Sequence, residues 1–584
     1  MPVNPFRRAD FRAPHHDGTM VGSTTTGVDD SLRSHRQQRE GDKAMRPREG
    51  SSPRSARRGT WHWQALPFVL LVGLAAAPGH AAWLRAESEH VIVYGDGSEE
   101  QVRSFARKLE RFHALLELMI PGNDAGEGLK LPVYMVRSRA DLQTALPDSP
   151  PDLSGMYSAS ADGVHALAIA RRAGSREGDD TLLHEYTHHF MIGRARGGYP
   201  AWFVEGFAEY YSTADVSGRV TVGMPSQGQI GTLRYLPWIG FDEVLTGSPW
   251  RMSQRKRAVF YAQSWLLTHY LLRDGARWAS TIDYLRAVRG GMPPLEAWTK
   301  HLGMDLDTMR TGLTRYAERD MRYSVLGTAL PEPDITISAM PASAETLMLP
   351  AIGIAFGSTD ASQITALRGG PARYPGDPLA IELAARAELA DGKFERAIEL
   401  ITPLLGDTAT AAQLYVGGIA TMALAEARRE AANAPEDAGE REFVDAGNLF
   451  ARTVRADPQH FQALYRYWQV RARTGEVPDI RLQDVLVQAY NLAPQAKEIA
   501  ITTGFMLLGV ERAKEARAVL ASIADDPHGA QAGSIARRLV ALVDSMPDGR
   551  NPTQEEIGAA ITGEEQLEAE PDEGTRVPPQ PNEA

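Results

Sequence analysis

The 584-residue sequence predicts an α+β domain followed by an all-α domain of helical repeats. Three β-rich runs and an amphipathic helix pattern follow one another between residues 89 and 171, which is typical of an α+β domain. Beyond residue 376 the composition turns to alanine, leucine, glutamate and arginine. The predicted boundaries are 83–328 for the α+β domain, 329–376 for a connector, 377–545 for the repeats and 546–584 for a disordered acidic tail.

The composition excludes several kinds of functional site. The chain contains no cysteine, so zinc fingers, thiol nucleophiles and disulfide frameworks are excluded. Any metal ion would have to be bound by histidine, aspartate or glutamate. The net charge is −12 and no basic stripe follows the N-terminal region, which argues against nucleic-acid binding.

The N-terminal region has the pattern of an export signal. An apolar run at about residues 65–77 is too short to span a bilayer comfortably, follows an arginine-rich stretch and precedes small residues suited to cleavage. Residues 1–82 are therefore predicted to be an unstructured N-terminus and a signal peptide, with Met45 as the true start. The expected location is periplasmic or secreted. The alternative is an uncleaved signal that anchors the protein to the inner membrane, the one case in which membrane contact is expected.

The elements of the α+β domain are predicted in chain order. Ser98 and Gln101 provide a capping box for the helix that follows the first strand. The strands are "EHVIVYG" (89–95), "LPVYMVRS" (131–138) and "GVHALAIAR" (163–171), and helices are expected from about 255 to 325. The third strand is expected either at the edge of the sheet, where it would pair with an extended peptide, or in its interior.

The region after the connector shows a repeat. Proline corners recur at Pro378, Pro458, Pro494 and Pro527, and the last two intervals, 36 and 33 residues, fit a helix–turn–helix period of about 34. This region resembles tetratricopeptide repeats, with an irregular helical bundle as the alternative. Such repeats would offer a surface for a protein partner.

The segment "TLLHEYTHHF" (181–190) contains the pattern H-E-x-x-H. Asp179 or Asp180 is predicted to cap a helix over Thr181–Ile192 that ends at Gly193. On a helix, positions i and i+4 differ by about 40° and have Cβ atoms roughly 6 Å apart, so His184 and His188 can bind one ion. Glu185 is turned by about 100° and would border the metal outside the core, where a general base is needed.

A second segment, "YPAWFVEGFAEYYST" (199–213), supplies two further carboxylates one helical turn apart, Glu205 and Glu209. Gly206 and Ala208 predict close packing of this helix on the histidine helix, which would bring Glu205 to the metal. A third ligand leaves a fourth position for water, the arrangement of catalytic zinc sites. Glu209 can then accept a hydrogen bond from the far nitrogen of a ligand histidine.

The two segments together resemble the gluzincin metallopeptidases. H-E-x-x-H followed by W-F-x-E-G-x-A-E-Y, and later "YAQSWLLTHYL", is similar to the bacterial peptidase-MA-like proteins, which often carry tetratricopeptide repeats. The resemblance implies a zincin-like metallopeptidase domain before the tetratricopeptide-like domain. It implies one Zn²⁺ per chain bound by His184, His188 and Glu205, with Glu185 as the base. The 16-residue spacer between His188 and Glu205 is slightly shorter than in the best-known members.

The family pattern Y-x-Q-S makes Tyr261 the candidate donor to the oxyanion, with an amphipathic core position beside Phe260 and Trp265 as the alternative. The expected function is that of an exported zinc peptidase, in which metal-activated water hydrolyses a peptide or protein substrate. The alternative is a non-catalytic scaffold. In that case the repeats would bind a protein partner and the zinc domain would be vestigial or structural.

Overall fold

The computed structural model describes residues 19–21, 83–120, 128–151, 153–170, 179–194, 198–318, 321–431, 434–435, 437–473, 478–524, 530–547 and 550–563. All of these described residues belong to one compact unit. The apolar run of the predicted signal peptide lies outside the described residues.

The described strands are β1 (Thr19–Val21), β2 (Leu84–Glu87), β3 (Val91–Gly95), β4 (Leu131–Val136), β5 (Gly155–Ser160), β6 (Gly163–Ile169), β7 (Thr221–Val222), β8 (Ser324–Val325) and β9 (Thr336–Ala339). Seven of them form a mixed sheet in the order β1-β5-β6-β4-β3-β2-β9. The β3–β4 and β4–β6 pairs are parallel and the other pairs are antiparallel. Of the two predicted positions for the third strand, β6 therefore occupies the interior one, with β5 and β4 on its two sides.

The chain is mostly helical outside this sheet. The N-terminal half contains α1 (Glu99–Met119), α2 (Arg139–Ala145), α3 (Asp179–Arg194), α4 (Ala201–Ser212), α5 (Gln227–Tyr235), α6 (Phe241–Thr246), α7 (Gln254–Leu272), α8 (Gly275–Arg289), α9 (Pro294–Leu302) and α10 (Leu306–Ala317). The first of these begins at the predicted capping box, in which Ser98 and Gln101 each bond to the other's backbone N–H. Short 3-10 helices lie at Pro249–Arg251 and Thr402–Leu404.

The second half contains α11 (Ala344–Ala355), α12 (Ala361–Arg368), α13 (Gly370–Arg373), α14 (Pro378–Ala390), α15 (Phe394–Ile401), α16 (Ala411–Glu430), α17 (Glu440–Ala456), α18 (Phe461–Ala472), α19 (Ile480–Leu492), α20 (Lys497–Gly509), α21 (Ala513–Ala524), α22 (Ala530–Asp544) and α23 (Gln554–Thr562). From α14 to α23 each helix contacts the next along the chain. Three of the predicted proline corners lie at helix starts or between helices, and the fourth, Pro527, lies outside the described residues.

Alternating burial in β3 and β4 gives the sheet two faces. Val93 and Val133 belong to the core shared with α1 and α3, while Leu167 belongs to a second core with α2 and α11. The stretch predicted as a connector therefore contains four structural elements, β9, α11, α12 and α13, and two of them complete the sheet region. Its strand β9 extends the sheet, and its helix α11 covers one face.

Helices α18 to α23 are continuous with the core around α1 and α3. Their buried side chains, including Phe461, Leu486 and Leu520, belong to the same apolar cluster as Tyr186 of α3. The C-terminal helices are thus packed onto the sheet-containing region, and burial of apolar surface between the two stabilises both.

Two short elements lie in stretches predicted to be unstructured. Strand β1, in the N-terminal stretch, pairs with β5. Helix α23, in the predicted acidic tail, begins with a capping box of Thr553 and Glu556 and buries Ile557, which accounts for its order. Among the described residues, no helix combines the length and apolar character needed to cross a membrane.

Candidate metal centre

Helix α3 carries the two histidines of the H-E-x-x-H pattern. It runs over Asp179–Arg194, two residues further at each end than the sequence predicts, and Gly193 lies inside it. The spacing of four residues places His184 and His188 on one face, where their Nε2 atoms lie 3.0 Å apart.

Glu205 completes a group of three side chains. Its Oε2 lies 3.5 Å from His184 Nε2 and 3.6 Å from His188 Nε2. A tetrahedral zinc ion with bonds of roughly 2.0–2.2 Å would hold its ligand atoms roughly 3.3–3.6 Å apart. The donor set and the two Glu205 distances therefore fit a zinc ion, and the two Nε2 atoms, 3.0 Å apart, lie slightly closer together than this spacing. Within the described residues, this is the one group of three or more potential ligands close enough for a shared metal.

Helix α4 brings Glu205 to this position because it is held between α3 and α7. Gly206 faces α7, not α3 as the sequence predicted. A Cβ on Gly206 would lie 2.3 Å from the carbonyl oxygen of Ser264 and 2.4 Å from Oγ1 of Thr268. The glycine permits the close approach of α4 to α7, and that contact fixes the helix that presents Glu205.

The carboxylates around His184 govern its charge. Glu205 is fully buried, at 0% exposure, and a buried carboxylate requires a positive partner. Burial alone would lower the pKa of His184, but the Glu205 hydrogen bond and the Glu209 and Glu185 charges raise it to about 9. A bound cation would meet the same electrostatic requirement at the same place.

Glu209 lies on the other side of the His184 ring. Its Oε1 is 3.8 Å from His184 Nδ1, the nitrogen that faces away from the three-residue group. Burial raises the pKa of Glu209, and the His184 charge opposes that shift. The sequence predicts a hydrogen bond from this nitrogen to Glu209, and at 3.8 Å the two atoms form an ion-pair contact that is longer than a hydrogen bond.

Glu185 lies between the two histidines in sequence and outside the three-residue group in space. The sequence predicted that it stays out of the core, but the residue is only 4% exposed. Its Oε2 has no hydrogen-bond partner among the described residues. A buried carboxylate oxygen without a protein partner beside three potential ligands is suited to holding water or a proton.

Tyr261 lies on α7 and is half-buried, with Phe260 fully buried beside it. Burial raises the pKa of the Tyr261 hydroxyl far above its usual value, and the charges of Glu205, Glu209 and Glu185 raise it further. The phenol therefore stays protonated and is affected by the charges of the carboxylates of the candidate metal centre, and its ring packs against the apolar core.

The opposite face of α3 has contacts that sequence reasoning missed. The hydroxyl of Tyr157 on β5 lies 2.9 Å from His189 Nδ1, and the hydroxyl of Tyr186 lies 2.9 Å from His113 Nδ1 on α1. The Gln495 side chain donates a hydrogen bond to the carbonyl of His189 over 3.1 Å. No spacing or motif in the sequence signals these long-range pairs.

Comparisons with known proteins add little to this description. No protein-family model matches the sequence, and a search of curated proteins gives no match. Among solved structures, the chain is similar to a thermophilic TPR protein of Thermus thermophilus at 23% identity, over 34% of this chain and 100% of that chain. The TM-score of 0.29 is too low to establish a shared fold.

Proposed function

We propose that this chain is an exported zinc-dependent metallopeptidase of the gluzincin type, related to the bacterial peptidase-MA-like proteins. One observation carries the proposal: His184, His188 and Glu205 converge with donor atoms within 4.8 Å of one another, next to the buried carboxylate of Glu185. A purely structural zinc site has four protein ligands, whereas three leave a position for water. Export is proposed on the N-terminal sequence pattern alone.

In this proposal His184, His188 and Glu205 bind one zinc ion. When bound, zinc supplies Lewis-acid chemistry, in which it acidifies water and polarises a carbonyl group. Glu209 holds the His184 ring through Nδ1 and so maintains the ring orientation that the ligand set requires.

The other residues move protons and bind the substrate. Glu185 accepts a proton from the attacking water on its carboxylate and passes it to the leaving amine, because its Oε2 has no competing hydrogen bond among the described residues. The Tyr261 hydroxyl donates a hydrogen bond to the carbonyl oxygen of the substrate as negative charge develops there. The substrate is a peptide or protein.

The test compares three variants of the full chain with the wild type. Glu185→Gln should retain one zinc per chain by elemental analysis and lose peptide hydrolysis by roughly 10²–10⁴-fold, because the general base is removed. His184→Ala should lose both zinc and activity. Glu296→Gln is the matched control, since Glu296 is exposed on α9, and it should behave as wild type.

Two results would overturn the proposal. One is correctly folded wild type without zinc after purification in zinc-containing buffer. The other is wild type and Glu185→Gln that are equally inactive on a broad peptide library. The second result, with zinc present, would favour a structural zinc domain on a binding scaffold. Mass spectrometry of native material tests export, which predicts a processed chain that begins near Ala82.

A further inference from the structure

A large cavity lies away from the candidate metal centre. Its volume is about 1770 Å³, and its wall is formed by residues of β3 to β6, of α1 and α3, and of α11, α12, α14, α16, α18, α19 and α20. The face of α3 opposite His184 and His188 contributes Tyr186 and His189 to the wall. None of the six residues assigned to the metal centre lies in this wall.

The sheet side of the cavity is an aromatic surface. Tyr94 and Tyr134 stack with ring centroids 5.5 Å apart, and His165 meets Phe356 edge to face at 4.4 Å. All four side chains line the cavity. Each ring of a stacked pair covers one face of the other, and the outer faces attract cations.

His165 provides an unsatisfied polar group in this surface. The residue is 8% exposed, and its Nε2 has no hydrogen-bond partner among the described residues. Burial lowers the pKa of His165 to about 4, so the ring is uncharged at neutral pH and does not repel a cation. Buried polar atoms normally find a partner, and a ligand in the cavity would supply one.

The wall carries an excess of negative charge. Its ionised side chains are three cations, Lys130, Arg194 and Arg386, and six carboxylates, Glu89, Glu117, Asp162, Glu382, Asp457 and Glu498. The cations already have acidic partners: Lys130 pairs with Glu87, Arg194 with Glu117 and Arg386 with Glu382.

Three of the carboxylates in the wall have no salt-bridge partner of this kind among the described residues. Glu89, Asp457 and Glu498 line the cavity without a salt bridge within 4 Å among the described residues, and the nearest charge that acts on Glu498 with opposite sign is that of Lys497.

Glu498 is exposed on α20. Partial desolvation and the neighbouring Asp162 carboxylate raise its pKa, and the Ala161 backbone N–H and the Lys497 charge oppose that shift. Asp162 itself is paired with Arg466 of α18. A cationic ligand near Glu498 would relieve the repulsion between the two acids.

We propose that this cavity binds an extended peptide segment with basic side chains. Its volume exceeds the roughly 300–1,000 Å³ of ordinary small-molecule sites, which favours a segment of chain over a single metabolite. Lysine or arginine side chains match the uncompensated carboxylates and the faces of Tyr94 and Tyr134. A main-chain amide of the peptide can form a hydrogen bond with Nε2 of His165. Binding here does not depend on the peptidase proposal, because the metal centre contributes nothing to the wall.

The experiment measures binding of a fluorescent peptide that alternates lysine with tyrosine. The protein is the full chain with Glu185→Gln, which prevents cleavage of the probe if the peptidase proposal holds. The matched ligand has glutamate in place of lysine. Binding is titrated by fluorescence polarisation with and without a zinc chelator, at low and high salt, and in competition with spermidine.

The expected result is saturable binding of the lysine peptide that weakens with salt, ignores the chelator and greatly exceeds binding of the glutamate peptide. Adding Glu498→Gln should weaken it by roughly three- to tenfold, and Glu498→Lys by more, whereas Glu296→Gln should change nothing. Thermal unfolding of each variant confirms that it is folded.

Four outcomes overturn the proposal. They are no binding, equal binding of both peptides, loss of binding with chelator or in His184→Ala, and full displacement by spermidine at the same concentration of charge. Loss of binding with the chelator or in His184→Ala would place the peptide at the metal centre. Full displacement by spermidine would identify a site for small cations. Since none of these measurements uses catalysis, an inactive enzyme would leave the test valid.

Discussion

The side-chain amide of Gln495 donates a hydrogen bond to the main-chain carbonyl of His189 over 3.1 Å, although 306 residues separate the two in sequence. Gln495 lies at the corner between α19 and α20 and is 8% exposed. Its Nε2 lies 3.3 Å from where a Cβ on Gly193 would stand, so the glycine permits the approach. The corner therefore docks on the helix that carries His184 and His188.

Gln495→Ala should destabilise the whole unit that contains α3. Loss of one buried hydrogen bond costs about 1 kcal/mol, and the cavity left by the side chain adds to this. Urea unfolding of the full chain, followed by circular dichroism, should show a lower midpoint. Gln227→Ala is the control, since Gln227 is exposed at the start of α5. Equal midpoints for the two variants would show that the corner does not support α3.

Gly206→Ala should displace α4 and reduce both stability and zinc affinity. The added methyl group would stand 2.3 Å from the carbonyl oxygen of Ser264, so α4 and α7 must separate. Overpacking of this kind typically costs about 1–3 kcal/mol, and it moves the neighbouring Glu205. Denaturant unfolding and zinc titration measure the two effects.

Gly231→Ala on α5 is the control, and it should raise the stability of the chain where Gly206→Ala lowers it. A Cβ on Gly231 meets nothing within 4 Å, so alanine there should stabilise the chain by about 0.4–1 kcal/mol through its better helix propensity. If Gly206→Ala were as stable as Gly231→Ala, the close α4–α7 contact would not be a feature of the folded chain.

The local part of the candidate site was predictable from sequence because helical geometry alone determines it. Spacings of four residues put His184 beside His188 and Glu205 on the same face as Glu209, and the structure has both arrangements. The partner of Gly206 was predicted incorrectly. A glycine in a helix signals a close approach, but not which helix approaches.

The long-range part could not be predicted. Gln495 and His189 belong to segments with no shared pattern, and β9 is a four-residue strand whose pairing with β2 depends on the path of the whole chain. The burial of Glu185 could not be predicted either, because it also depends on long-range packing. Helical geometry gives its direction relative to His184, but tertiary packing decides what covers it.

Glu110 should make the stability of the chain depend on pH. The side chain is 6% exposed and bonds to His90 Nδ1 at 2.7 Å and to the Ser88 hydroxyl at 2.6 Å. Burial alone would raise its pKa, but these bonds lower it from 4.5 to about 2. The stabilisation is therefore fully present above pH 4.5 and is lost as the pH falls towards 2.

His90 makes the stability of the chain depend on pH in the neutral to alkaline range. Burial would lower its pKa, but the Glu110 carboxylate raises it above 6.5, so this part of the stabilisation is lost as the pH rises through the folded pKa. Glu110→Gln should lower the free energy of unfolding relative to wild type at pH 6. At pH 2.5 this loss should be smaller by about 2 kcal/mol, because the stabilisation by the Glu110 carboxylate is lost in the wild type as the pH falls towards 2. Urea titrations at both pH values measure this, with Glu296→Gln as the control. A difference that does not change with pH would contradict the Glu110–His90 pairing.

Tyr261→Phe should lower peptide turnover while zinc and fold are retained. Burial and the charges of Glu205, Glu209 and Glu185 keep the hydroxyl protonated, and the proposed function makes it the donor to the oxyanion of the substrate. Removal of one such donor costs about 10²-fold in kcat, with a smaller change in KM, because the bond strengthens as charge develops. Tyr270→Phe is the control on the same helix, since Tyr270 packs against Tyr316. Steady-state kinetics on the best substrate of the wild type decide the role. If both variants keep the wild-type kcat, Tyr261 is a packing residue of α7 and another group donates to the oxyanion.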